Sequence, residues 1–188
     1  MSFRLGKTNI FIGYEAVAAM TAVLILDREN RVICCAFAAV LHELGHLLMM
    51  RCFHIPLRSV RLSIFDVLID ADRPDSFLAD FCVTLGGPLA NFLCAVLSAP
   101  VSREMLYAHL ALGIFNLLPV INLDGGHLLD LLLSRRFLPK TCTIILKVTT
   151  FTLLLPLFTA GLLILFRSGY NYSLLAVSLY LLAVFLFK

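Results

Sequence analysis

Charge is what this sequence has least of. Asp, Glu, Lys and Arg make up 14% of its 188 residues, where a soluble domain carries about 25%. Hydrophobic residues make up 61%, and the mean hydropathy is +0.96. That balance excludes an ordinary water-soluble domain, because a chain of this length cannot bury so much apolar surface in one core. The net charge of +3 is small and dispersed, so no nucleic-acid partner is expected. Paired cysteine spacing is missing too. Cys34, Cys35, Cys52, Cys82, Cys94 and Cys142 suggest neither a disulfide framework nor a zinc knuckle, and most sit in apolar runs as small hydrophobic side chains. There is no low-complexity linker and no internal repeat. The opening "MSFRLGKTNIFIGYEAVAAM" lacks a small-residue cleavage site, so a retained first helix is expected rather than a signal peptide.

What remains is long apolar runs. A spanning helix needs roughly 17–25 mostly apolar residues, and six segments qualify: Ile10–Leu26, Val32–Met50, Ala79–Ser98, Met105–Ile121, Thr143–Phe166 and Tyr170–Phe187. The expected fold is an all-α polytopic membrane protein of about six helices, one domain over residues 1–188. With six spans, most lysines and arginines fall on the side of both termini, and only Arg28, Arg31, Arg103 and Arg167 on the other. Both termini are therefore expected in the cytoplasm. The loop "RSVRLSIFDVLIDAD" alternates in part with a period of two, which predicts a strand or hairpin at the membrane surface over Ser59–Ile69. Its Asp-rich end, Asp66–Asp75, would return the chain to water.

One run contradicts its own composition. Within "VICCAFAAVLHELGHLLMM" every residue is apolar or glycine except His42, Glu43 and His46. On a helix, His42 and His46 share a face about 6 Å apart along the axis, so both imidazoles can aim at one ion. Glu43 sits beside them, placed to reach a water rather than the metal. Two ligands and a general base are the mechanical content of H-E-x-x-H. Solvated surface charges would explain the pattern in a soluble helix, but ionisable groups inside a span cost several kcal/mol and are usually functional.

Catalytic zinc usually takes a third protein ligand. In "NLLPVINLDGGHLLD" the leading candidate is Asp124, with His127 and Asp130 as rivals; the plainer reading of these two is a solvated helix start. Pro119, Gly125 and Gly126 predict that the helix loosens there. Asn116 and Asn122 could orient ligands or donate to a substrate carbonyl, and helix–helix hydrogen bonds explain them nearly as well. In "TLGGPLANF", Gly86, Gly87 and Ala90 permit close helix approach, and Asn91 needs a polar partner, at the site or across a helix contact. Glu15, Lys147 and His109 are assigned no chemistry.

His42-Glu43-x-x-His46, then "GGPLAN", then "NLLPVINLDGG", taken in that order, resemble the site-2 protease family (M50) of intramembrane zinc metalloproteases. The resemblance covers roughly residues 32–130, the family's three-helix catalytic core. It implies zinc, one ion per chain, held by His42, His46 and Asp124, with Glu43 as the catalytic base. It also implies cleavage of a membrane-associated protein substrate near the cytoplasmic face, with the bilayer and regulatory membrane proteins as partners. The six-span layout without a PDZ insertion resembles the sporulation branch that processes pro-sigma-K. The sequence shows no C-terminal cystathionine-β-synthase (CBS) nucleotide-sensing domain, so nucleotide regulation is not expected. A minimal member that clears signal peptides or anti-sigma factors would look much the same.

The expected reaction is peptide-bond hydrolysis, with Glu43 taking a proton from water and returning it to the leaving amine. A helical substrate must first unwind, and the expected strand at Ser59–Ile69 could pair with the unwound segment. The rival class is a membrane metal transporter or metal sensor. It would need polar groups continuing across the bundle, and Glu15 and His109 do not make a continuous set.

Overall fold

A computed structural model of the chain describes residues 2–5, 8–12, 21, 31–62, 67–72, 74, 76–169 and 173–187. The chain divides into two compact units, Met1–Asn116 and Leu117–Lys188.

The described residues of the first unit form four strands and, Thr21 aside, three helices. Strands β1 (Ser2–Leu5), β2 (Thr8–Ile12), β3 (Leu57–Leu62) and β4 (Val67–Ala71) form one sheet in the order β1-β2-β3-β4. β1 and β2 pair antiparallel, β2 and β3 parallel, β3 and β4 antiparallel, with Ile10 opposite Val60 and Val60 opposite Ile69. A parallel pair cannot be joined by a hairpin turn, and here helix α1 (Arg31–Cys52) lies in the connection between β2 and β3. Helices α2 (Phe77–Ser98) and α3 (Arg103–Asn116) follow.

The strand or hairpin expected at Ser59–Ile69 is the antiparallel pair β3 and β4, and β4 runs on through Asp70, which is exposed, to Ala71. The expected first helix, Ile10–Leu26, is corrected at its start. Ile10, Phe11 and Ile12 are strand, as suits the β-branched and aromatic run "TNIFI" paired against β3. Of the rest of that run only Thr21, which is helical, is among the described residues.

Local chemistry explains the helix ends. α1 closes with His54 in the left-handed region (φ 57°), while His54 N–H donates to Arg51 O and Ile55 N–H to Met50 O. These are the two bonds of a Schellman stop, with Pro56 just beyond. At the start of α2, Ser76 Oγ accepts from Ala79 N–H at 3.1 Å, and at the start of α3, Ser102 Oγ accepts from Met105 N–H at 3.2 Å.

α1 is apolar outside and polar inside. Ile33, Phe37, Val40, Leu44 and Leu48 point outward, Leu48 58% exposed, whereas Ala38, His42 and His46 are buried. A helix in water does the reverse; lipid is the solvent this pattern suits. α1 and α2 touch backbone to backbone. A Cβ on Gly45 would lie 2.3 Å from Gly86 O, so glycine is required at that crossing.

The second unit holds α4 (Asp124–Leu133), α5 (Pro139–Ser168) and α6 (Ser173–Phe187). Pro139 opens α5 and Gly169, at φ 74°, closes it. Among the described residues, three helices are long and apolar enough to cross a membrane: Val32–Cys52, Phe77–Ser98 and Pro139–Ser168. The expected span Met105–Ile121 is shorter than predicted, since α3 ends at Asn116 and the chain turns before Asp124. The expected loosening falls at residues 117–123, around Pro119, and not at Gly125–Gly126. Both glycines are helical and buried, in the first turn of α4. Their Cβ atoms would strike the turning chain itself, at 2.1 Å from Leu117 O and 2.2 Å from Val120 O, so here glycine admits a close backbone rather than a rare dihedral.

Candidate metal centre

His42 and His46 stand one turn apart on the buried face of α1, 5% and 9% exposed. Their Nε2 atoms are 3.1 Å apart and the rings meet edge to face. The other nitrogens are engaged. His46 Nδ1 donates to Val83 O on α2 at 2.8 Å, which leaves the Nε2 lone pair of His46 directed toward His42. His42 Nδ1 lies 3.0 Å from Nδ2 of Asn91, which is fully buried on α2. Glu43 is half-buried on the same helix.

Gly87 leaves the space the two nitrogens need. A Cβ there would lie 2.4 Å from His46 Nε2 and 2.7 Å from His42 Nε2. Two convergent imidazole nitrogens, each oriented from behind, beside a position held open by glycine, fit a zinc ion.

Of the remaining expected residues, Asp124 is the first residue of α4, half-buried, where the helix N-terminus favours its carboxylate. The turn before it is pinned by Ile121 N–H donating to Thr150 Oγ1 at 3.0 Å. His127 is exposed and Asp130 half-buried, both within α4. Asn116 donates to Leu112 O of its own helix at 3.1 Å. Asn122 is exposed, with φ 73°, a left-handed position that asparagine tolerates and the turn needs. The residue that sequence reasoning missed is His109. It is 1% exposed, with Nδ1 3.0 Å from Asn91 Oδ1. The signal was there: an ionisable group inside an apolar helix.

Comparison with known proteins now adds a family. Residues 103–157 match peptidase family M50. A solved site-2 protease from Methanocaldococcus jannaschii superposes with a TM-score of 0.69 at 22% identity, over 96% of this chain and 92% of that one. The chain has the site-2 protease fold. A zinc metalloprotease of the same organism is 27% identical over 113 residues, 53% of this chain, and the match spans 33% of that relative's length. The resemblance to the M50 peptidases drawn from the motifs is borne out, and with it the expectation of a largely helical, multi-pass membrane protein.

Proposed function

We propose that the chain is an intramembrane zinc metalloprotease, with His42, His46 and Asp124 as ligands and Glu43 as general base. The observation that carries this reading is the pair of buried Nε2 atoms 3.1 Å apart beside Gly87. Held by His42, His46 and Asp124, zinc would supply Lewis acidity toward a carbonyl and a water. Glu43 takes the proton of the attacking water and delivers it to the departing amine. Asn91 orients His42, and Asp124 adds the negative charge that two neutral imidazoles lack.

The substrate is a membrane-associated regulatory protein of pro-sigma or anti-sigma type, as in sporulation, cut near the cytoplasmic face with both termini of this chain in the cytoplasm. The motif order and the lysine and arginine distribution support that assignment. An unwound substrate would add to the sheet at an edge. β3 is paired on both sides, so the edge on this hairpin is β4 rather than the strand centred on Val60.

The test is zinc per chain in detergent-purified protein, with His42→Ala, His46→Ala, Asp124→Ala and Glu43→Gln beside the wild type. One zinc in wild type and Glu43→Gln, loss in the three ligand variants, and cleavage of a reporter membrane peptide by wild type alone is the expected result. A wild type without zinc, or Glu43→Gln that still cleaves, would sink the reading.

A further inference from the structure

Among the described residues, His109 is a buried ionisable group that this reading leaves without a task. Its neighbours give it one. Four contacts run in one direction without conflict. His109 Nδ1–H donates to Asn91 Oδ1 (3.0 Å), and Asn91 Nδ2–H to His42 Nδ1 (3.0 Å). His42 Nε2–H donates to His46 Nε2 (3.1 Å), and His46 Nδ1–H to Val83 O (2.8 Å). In this polarity the His42 proton sits on Nε2, the atom that a metal requires bare.

A neutral imidazole that ligates through Nε2 keeps its proton on Nδ1 and donates it backward. The group behind His42 Nδ1 must then accept. Asn91 can do so by turning its amide over, which puts Oδ1 against His42 and Nδ2 against His109. His109 Nδ1 must then accept in turn, and its proton moves to Nε2. Both histidines stay neutral: each loses a proton from one nitrogen and gains one on the other, so no net charge is made or lost. The His109 ring is held edge-on by Phe37 (centroids 6.4 Å apart) and borders a cavity of about 320 Å³ whose lining includes Ser98 and Ser102. That cavity is large enough to hold a water beside the ring.

We propose that His109 is a positioning residue that acts through Asn91 on His42, and that the His109–Asn91–His42 chain reverses its hydrogen-bond direction when the metal is loaded. The inference rests on the metal reading above. It predicts that an acceptor fixed at position 91 makes His109 dispensable.

The experiment is zinc affinity of the full chain in detergent, by chelator competition, for wild type, His109→Phe, Asn91→Leu, Asn91→Asp and the double variant Asn91→Asp/His109→Phe. ¹⁵N-histidine spectra of the wild type with and without zinc accompany it. His109→Phe and Asn91→Leu should each weaken zinc about 10–100-fold. Asn91→Asp should stay within severalfold of wild type, and adding His109→Phe to it should cost nothing further. The spectra should show the His109 proton on Nδ1 without zinc and on Nε2 with it. A His109→Phe variant that binds zinc as wild type does, an equal loss in both backgrounds, or a His109 tautomer that zinc leaves unchanged would overturn the proposal. A wild type that binds no zinc would remove the metal reading itself, and the relay with it.

Discussion

The pairs α1–α2 and α5–α6 use the same packing device for different ends. Each brings two apolar helices together at glycine. A Cβ on Gly45 would meet Gly86 O at 2.3 Å, and one on Gly161 would meet Leu175 N at 2.8 Å. In the first pair the buried polar groups face one another across helices: His46 to Val83 O, His42 to Asn91. In the second they are quieter. Ser178 Oγ donates to Leu175 O of its own helix, and Thr150 accepts a turn N–H. Close approach alone makes a membrane scaffold. Close approach plus convergent, oriented nitrogens makes a place for a metal.

Gly87→Ala tests that difference most severely. The added methyl would sit 2.4 Å from His46 Nε2, so one or both imidazoles must leave the position in which their Nε2 atoms converge. Zinc content should fall to background while the protein still purifies as a folded species; retained zinc would break the claim that glycine holds this position open. Gly45→Ala comes next. Its Cβ would strike Gly86 backbone, which cannot rotate away, so α1 and α2 must separate. Thermal stability and zinc should both drop. Gly161→Ala makes the matched control: its Cβ would also meet backbone, at Leu175, and overpacking of this kind costs about 1–3 kcal/mol. Stability should fall while zinc content is kept; a large loss of zinc would blur the comparison between the two pairs.

How far these differences could be read in the sequence depends on whether the determinant is local. The convergent histidine pair was legible because one helical turn fixes the relation of His42 to His46, and an apolar run makes polar residues conspicuous. The hairpin at residues 57–71 was legible from its period-two alternation, but its parallel partner β2 was not, because "TNIFI" reads equally as the start of an apolar span. The end of α3 at Asn116 was missed because apolar residues continue past it to Ile121. What stops the helix there is a turn built from Asn122 at positive φ and carbonyls folded over Gly125 and Gly126, a tertiary event with no periodic trace. His109 was passed over because its role needs two partners, Asn91 and His42, brought from two other helices.

Thr150→Val is expected to have an intermediate effect. It removes the acceptor of Ile121 N–H in a fully buried place, and an orphaned buried donor costs about 1–3 kcal/mol. The turn that leads into Asp124 loses its pin. If Asp124 is a ligand, zinc affinity should fall severalfold along with stability. A loss of stability with no change in zinc would separate the turn from the metal.

Ser178→Ala should do least, and the reason completes the contrast with Asn91. Both side chains are buried and polar, 1% and 0% exposed. Asn91 spends its amide on two other helices, so removing it takes a partner from His42 and His109 together. Ser178 spends its hydroxyl on Leu175 O, three residues back in α6. Removing that hydroxyl takes donor and local bond away in one step and leaves no stranded partner, since a helix-interior carbonyl already accepts from its own backbone. Alanine is also the better helix former. The melting temperature of Ser178→Ala should therefore stay within about 0.5 kcal/mol of wild type when converted to stability, with zinc unchanged. A loss as large as that of Asn91→Leu would mean that burial alone sets the cost of losing a polar group here, and that the direction of its hydrogen bonds does not.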